Sequence, residues 1–467
     1  MHDGADLVEI DAVLVDQALE AYPHRLGKLG RGGGDLQAED LARLGIEEGE
    51  VGERPADVDA EPVARHLVDL PRRPHEVNRA TRVPFTRDRV ARIGYDLAPR
   101  SDPMILERFK VPAKDQVHVS EAALRATVTG IFAKLGLTPE DASEGADVLT
   151  MTDLRGVETH GVSNMLRMYV RDYKAGKLDP KPGWKIVRQS PGTAVIDAER
   201  RLGIIVGPKA MRLAMEKART VGVGVVTVYN SGHFGAIGHY AMQAAQAGMV
   251  GVCFTGAGLS VVPTFAAKPL LGTNPIALAA PARHEAPMLF DAATSAIAGN
   301  KIRLAIRVGS PLLPGWVTDK DGTPIMEEKP VFDRDEYHQA PLGGTREQGS
   351  HKGYGFALMA EVLSTMLAGA LPTMLAPGSG SKNHFAAYNI EAFTDPEQFK
   401  TSMDDMLKTL RTAQPAPGEE RVLYPGLSEA EETAERRAHG IPLHKEVLAW
   451  FEECTRDLGL PPLTPLR

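Results

Sequence analysis

Apolar residues recur at helical spacing in three successive stretches that begin near residue 120. Leu124, Val128, Ile131 and Leu135 share one face of the first, Ser120 stands where a cap is needed, and Gly136 supplies a left-handed stop. Thr138-Pro139-Glu140-Asp141 then sets a cap, a first-turn proline and two acids at the positive end of a second helix running toward Thr152. A third follows, with Val162, Leu166, Tyr169 and Tyr173 on its inner face and Gly176 after it.

From about residue 186 to 300 the pattern changes to short β-branched runs alternating with helices. Residues 193–196, 223–228 and 250–254 read as buried strands. A helix after Pro208 turns Met211, Met215 and Ala218 inward, and one after Gly238 carries Ala241, Ala244 and Ala245, small enough for close packing on a sheet. Phe356, Ala360, Leu363 and Leu367 predict one buried helix face. Asp395-Pro396-Glu397-Gln398 starts a helix with Phe399, Met403, Met406 and Leu410 inside, and the segments beginning near Ser428 and Pro442 read as helices. The expected organisation is an α/β domain over 181–394 and a helical domain assembled from 104–180 and 395–467. Residues 1–103 read as a poorly ordered extension without assigned chemistry, with a glycine patch at Gly32, Gly33 and Gly34 and acids at Glu47, Glu48 and Glu50.

Composition narrows the partners. The 467 residues are 43% hydrophobic and 24% charged, the range of ordinary globular proteins. A formal charge of -8 offers no general attraction to nucleic acid or anionic membranes, so a small-molecule substrate is expected. Cys253 and Cys454 are far apart and outside any CxxC spacing, which argues against a disulfide framework and fits a reducing cytoplasmic setting. No run approaches the roughly 20 apolar residues of a membrane span, and the first residues lack a secretory pattern.

Two segments concentrate chemistry. Asn230-Ser231-Gly232-His233-Phe234-Gly235 follows a strand and leads into a helix, the place where ligands bind in α/β sheets. Flanking glycines bring the His233 imidazole close to a ligand, and a nearby helix N-terminus disfavours its protonated form, as suits a general base. The alternative is a histidine that bonds a neighbouring carbonyl, the role also given to His239. The second segment, Asp153-Leu-Arg-Gly-Val-Glu-Thr-His-Gly161, breaks two helices; Arg155 either faces a cleft or pairs internally with Asp153 or Glu158, and Thr159 and His160 would begin the next helix even without a function. Gly232, Gly235 and Gly238 do not have GxGxxG spacing, and Gly256-Ala257-Gly258 lacks a third glycine. The residues alone therefore describe an α/β enzyme with a histidine cleft.

These two segments, together with Gly272-Thr-Asn-Pro-Ile276, Phe290-Asp-Ala-Ala-Thr-Ser295 and His351-Lys-Gly-Tyr-Gly355, resemble in order the second type of malate/L-lactate dehydrogenases. That family includes ureidoglycolate, sulfolactate and diketogulonate dehydrogenases and a cyclic-imine carboxylate reductase, and the resemblance runs from about Val117 to the C-terminus. It implies a mixed sheet with flanking helices, a non-Rossmann way of holding NAD or NADP, a homodimer, and hydride transfer to or from a small 2-hydroxy acid. It also implies that His233 moves the proton, that Thr159 and His160 stand beside the substrate, and that Asp291, Ala292, Ala293 and Lys352, with Thr273 and Asn274, line the cofactor cleft. Where many members carry an arginine for the substrate carboxylate this chain has Asn164, and Met168 replaces a nearby tyrosine; Arg155 or Arg167 is left to compensate. The rival readings are a cyclic-imine carboxylate reductase on the same site, a metal-dependent hydrolase using His160, His233 and His351 without a compact ligand spacing, and a scaffold that binds without turnover.

Overall fold

In the computed structural model, residues 107–331 and 336–466 are described; the expected extension over 1–103 lies outside them. Strands β1 (Gln116–Val119), β2 (Lys185–Gln189), β3 (Thr193–Asp197), β4 (Val223–Ser231), β5 (Met249–Gly256), β6 (Ile276–Ala280), β7 (Met288–Ala292), β8 (Val317–Thr318), β9 (His338–Gln339), β10 (Ser381–Asn389) and β11 (Ile441–His444) form three sheets. The main one has seven strands in the order β2-β3-β4-β10-β5-β6-β7. Only β3 and β4 run parallel in it, and β10 enters antiparallel between β4 and β5.

Helices α1 (Glu121–Lys134), α2 (Pro139–Leu154) and α3 (Val162–Lys174) form where the periodicity placed them. Ser120 Oγ accepts the Ala123 N–H at 3.1 Å and Thr138 Oγ1 accepts that of Asp141 at 3.2 Å. Helices α4 (Gly203–Val221) and α5 (Gly238–Gln246) cover one face of the sheet. They lie almost on the strands: a Cβ on Gly224 of β4 would overlap the Ala214 carbonyl oxygen of α4, and one on Gly251 of β5 would overlap the Ala241 carbonyl oxygen of α5. The fully buried Val226, Val228, Ile196 and Phe385 of the sheet join Ile204, Met211, Ala214 and Tyr240 of these helices, and Leu124 and Leu149 of α1 and α2, in one core. Helix α6 (Gly299–Val308) follows β7.

Several expectations need correction. Helix α4 starts at Gly203, so Pro208 lies inside it; the buried Ile204, Ile205 and Val206 supply packing that outweighs the bond lost at the proline. Helix α7 (Ser350–Ala360), continued by a π-helical stretch over Glu361–Met366, buries Ala360 as expected but turns Phe356 and Leu367 of the expected face outward. It buries Gly353, Ala357, Ala360, Ser364 and Thr365 and leaves Phe356 and Leu367 exposed. Close approach explains this, because a Cβ on Gly256 of β5 would overlap Thr365 Oγ1, leaving room there for small side chains only. Helix α8 (Pro396–Arg411) is capped by Asp395 as expected, but buries Met403 and Leu407 while Met406 and Leu410 are exposed. After α9 (Leu427–His439), the segment at Pro442 is first a strand: Ile441 and Leu443 alternate inward on β11, which pairs with β1, and only then does α10 (Lys445–Asp457) begin. Thus the C-terminal stretch closes onto the start of the described chain, with α9 against α2 and α10 against β1.

Gly224→Ala is expected to destabilise the protein by about 1–3 kcal/mol, since backbone rather than a movable side chain blocks the added methyl; a urea melt measures it.

Candidate active site

Past the end of β4 the chain makes a tight turn before α5. Asn230 adopts φ +54°, Gly232 donates its N–H to the Arg201 carbonyl at 2.8 Å, and Gly235 adopts φ +63°. Phe234 anchors the turn: it is buried against Tyr240 and Phe385, and the Tyr240 hydroxyl donates to its carbonyl at 2.6 Å. The preceding residue, His233, keeps a partly exposed edge. Its Nδ1 accepts the Gly235 N–H at 3.0 Å and lies 2.8 Å from the hydroxyl of Tyr169, a fully buried residue of α3. A neutral ring that accepts at Nδ1 carries its proton on Nε2.

The His160 ring stacks on that of His233, 5.7 Å between centroids and 9° between planes, with Thr159 Oγ1 at 2.9 Å from His160 Nδ1. Burial holds His160 down to about 4. Burial, reinforced by the positive charge of His160 and Arg303, holds His233 down to about 3. Both imidazoles are therefore neutral at pH 7, and the structure unites His233, His160 and Thr159. Tyr169 was legible only as an inner position of α3; nothing local marks it as the hydroxyl that reaches His233.

The break between α2 and α3 owes its shape to carboxylates. Asp153 Oδ2 accepts the Val162 N–H at 2.7 Å, and a Cβ on Gly161 would overlap the Asp153 carboxylate. Glu158 pairs with Arg436 of α9 at 2.7 Å, and Arg436 also donates to the Asp153 carbonyl at 2.8 Å and to Glu432 at 2.7 Å. Glu158, weighed as an internal partner of Arg155, is thus taken by Arg436, whereas the charges that act on Arg155 are those of Glu429 and Asp291. Asn164 is buried, with Nδ2 donating to Asn300 O at 3.2 Å and Oδ1 accepting from Arg307 Nη1 at 3.0 Å.

Asp291, at the end of β7, accepts the Gly238 N–H at 2.7 Å and so caps α5. Surrounding protein pushes its carboxyl up to about 6, although the residue keeps an exposed outer surface. Ala292 and Ala293 follow, half-buried. Thr273 lies beside them through its carbonyl, which accepts the Thr294 N–H at 2.8 Å. Asn274 is fully buried and spends its side chain internally, on the Ala257 N–H at 2.9 Å, the Ala357 carbonyl at 3.0 Å and Glu361 at 3.3 Å. Lys352 is exposed in the first turn of α7, and His351 there lies 2.9 Å from an Arg346 nitrogen. Among the described residues no three His, Cys, Asp or Glu side chains converge as a metal-holding group. A cleft of about 780 Å³ opens beside Asn164 and Met168 of α3, with Arg303 and Arg307 of α6 and Trp450 of α10 in its wall.

Residues 119–452 match the model of a family described as malate/L-lactate dehydrogenase. A malate dehydrogenase from Pyrococcus abyssi is 38% identical over 353 residues, 74% of this chain and 96% of that protein. An L-sulfolactate dehydrogenase from Methanocaldococcus jannaschii is 35% identical, over 71% of this chain and 95% of its own length. Among solved structures, a malate dehydrogenase from Entamoeba histolytica superposes with a TM-score of 0.70 at 32% identity, covering 74% of this chain and 99% of that one.

The buried Asp153 yields a test of the electrostatics. Burial raises its carboxyl from 3.8 to about 8, so the folded protein keeps a proton that the unfolded chain releases. Its contribution to stability is complete below pH 3.8 and is lost as pH climbs toward 8. Asp153→Asn, which imitates the protonated form, is expected to flatten that decline between pH 5 and 8 in denaturant melts; an unchanged slope would assign the decline to other groups.

Proposed function

The chain belongs to the malate/L-lactate dehydrogenase family, and from that premise we propose that it moves a hydride between NAD or NADP and a small 2-hydroxy acid, with His233 moving the proton. The observation that carries this reading is the His233 ring, neutral, partly exposed, and held at Nδ1 by Gly235 and Tyr169. The residues fit a dinucleotide on one count: the 2.7 Å bond from Gly238 to Asp291 ties the partly exposed end of β7, with Ala292 and Ala293, to the turn that carries His233. Lys352, exposed on α7, would add a cation for it, and the Thr273 edge a wall; Asn274 would act by holding that wall to α7. The antiparallel β10 at the centre of the sheet supports a cofactor mode unlike the parallel Rossmann one. The β1–β11 pairing supports a helical domain built from 104–180 and 395–467 beside a cofactor and substrate domain over 181–394.

When bound, the nicotinamide supplies the hydride chemistry; the protein supplies position and the proton. A substrate anion beside His233 offsets the desolvation that keeps the ring neutral and favours the imidazolium. In that form Nδ1–H donates to the Tyr169 hydroxyl and Nε2–H gives its proton to the substrate oxygen, which leaves the Nδ1–H tautomer with a free Nε2 that takes the proton back in the reverse direction; in the resting tautomer Nδ1 accepts from the hydroxyl instead. Tyr169 serves both states because a hydroxyl gives or takes a hydrogen bond. His160 and Thr159 orient the same oxygen, and Arg155, whose charge acts on Asp291, compensates for Asn164 in meeting the substrate carboxylate.

A homodimer completes the reading. Phe356, Leu358, Met359, Val362, Met366 and Leu367, each 37–53% exposed, place six apolar side chains outward along α7 and the π-helical stretch, a run of the kind that marks a protein interface. Among the described residues no helix is long and apolar enough to cross a membrane, and both cysteines are free and buried, which supports a cytoplasmic enzyme.

NADH or NADPH absorbance against a panel of 2-oxo acids and cyclic imine carboxylates tests the reaction. Turnover of a 2-oxo acid is expected, with His233→Ala lowering kcat about 100- to 10,000-fold while cofactor fluorescence titration is unchanged. Full activity in that variant removes His233 from the chemistry. For the assembly, sedimentation is expected to show a dimer that Met359→Glu with Leu367→Glu converts to monomer; a monomeric wild type sinks the interface.

A further inference from the structure

We propose that Glu361, at the head of the π-helical stretch after α7, is a positioning residue of the dinucleotide site: its carboxylate fixes Asn274, and with it the Thr273 edge that the cofactor meets. The inference deepens the dehydrogenase reading and rests on it.

Glu361 is 3% exposed, and the bonds to its carboxylate come from uncharged donors. Oε1 accepts the Thr373 N–H, and Oε2 accepts from Asn274 Nδ2 at 3.3 Å. A carboxylate taken out of water onto uncharged donors is costly, and an apolar side chain would fill the same space without that cost. The residue stands in a polar layer under the sheet. A Cβ on Gly251 of β5 points to α5, whereas one on Gly256, five residues on and so on the other face, would lie 3.3 Å from Glu361 Oε2. Lys382, paired opposite Gly256 on β10, shares that second face. Burial works against the ammonium of Lys382, and the Glu361 charge opposes that effect.

Asn274 meets Glu361 in a backbone conformation that needs outside support. Its φ is +30°, a left-handed value that a residue other than glycine holds only when its surroundings impose it. Here the side chain supplies the restraint: Oδ1 accepts the Ala257 N–H at 2.9 Å, and Nδ2 donates to the Ala357 carbonyl at 3.0 Å and to Glu361. The adjoining Thr273 carbonyl accepts both the N–H and the hydroxyl of Thr294, at 2.8 and 3.0 Å, and Thr294 directly follows Asp291-Ala292-Ala293. Hydrogen bonds and peptide links thus run from the Glu361 carboxylate to the end of β7, which Gly238 ties to the turn of His233. An amide at 361 would serve one of the two donors only, because its NH2 group would meet the other.

The test uses the full chain and fluorescence titration with NADH and with NADPH, which reads the cofactor site without a substrate. Wild type, Glu361→Gln, Asn274→Gly, the double variant and Ser364→Ala are compared, with urea melts to show that each is folded. Asn274→Gly removes the side chain while tolerating φ +30°, and Ser364 is a neighbour whose hydroxyl donates to the Ala360 carbonyl of its own helix. Glu361→Gln and Asn274→Gly are each expected to raise the cofactor Kd about 10-fold and the double variant no further, with kcat at saturating cofactor within about twofold and Ser364→Ala like wild type. Losses that multiply in the double variant overturn the proposal, as does an unchanged Kd in folded Glu361→Gln or an equal loss in Ser364→Ala. Should Glu361→Gln not fold, Glu361→Asp, which keeps both oxygens on a stem one methylene shorter, is read in its place against the same outcomes. A wild type that binds neither dinucleotide defeats the dehydrogenase reading and the proposal together, whereas tight wild-type binding with no change in Glu361→Gln defeats the role of Glu361 alone.

Discussion

The buried guanidinium of Arg436 is the constraint on which the site's geometry rests. It comes from α9, near the C-terminus, and is bonded to Glu158 and to the Asp153 carbonyl, both in the break between α2 and α3. Glu158 is 7% exposed, and removing its partner would leave a buried charge alone, a change that costs about 3–5 kcal/mol. Thr159 and His160 directly follow Glu158, so the ring that stacks on His233 is positioned by a residue far away in the chain. The C-terminal segment therefore holds in shape the break that carries Thr159 and His160.

Features written into neighbouring residues were legible in the sequence. Ser120, Thr138 and Asp395 cap the helices expected of them because a cap needs only its own next turn. What depended on distant partners was not. Pro442 looked like a helix start, yet Ile441–His444 is a strand because Gln116–Val119 offers it an edge. Phe356 and Leu367 of α7 face outward because periodicity marks which residues are apolar but not how closely a sheet approaches; beside β5 only small side chains fit.

The site shows the same division. The glycine-flanked His233 and the Thr159-His160 pair could be found from their local settings, and the structure brings them together. Tyr169 was hidden among the apolar positions of α3, since a buried tyrosine and a buried phenylalanine serve helix packing alike. Asn274 carried a motif's polarity but spends it inside the protein, binding loop to helix.

Strand β10 has a consequence for synthesis. It lies between β4 and β5, yet it spans residues 381–389, more than 120 residues after β5 ends at Gly256. As the chain leaves the ribosome, β4 and β5 each wait with an open, apolar edge until that late segment emerges. Until then those two edges are open to pairing with another chain, so the seven-stranded order ties closure of the sheet to one of its last strands to be made.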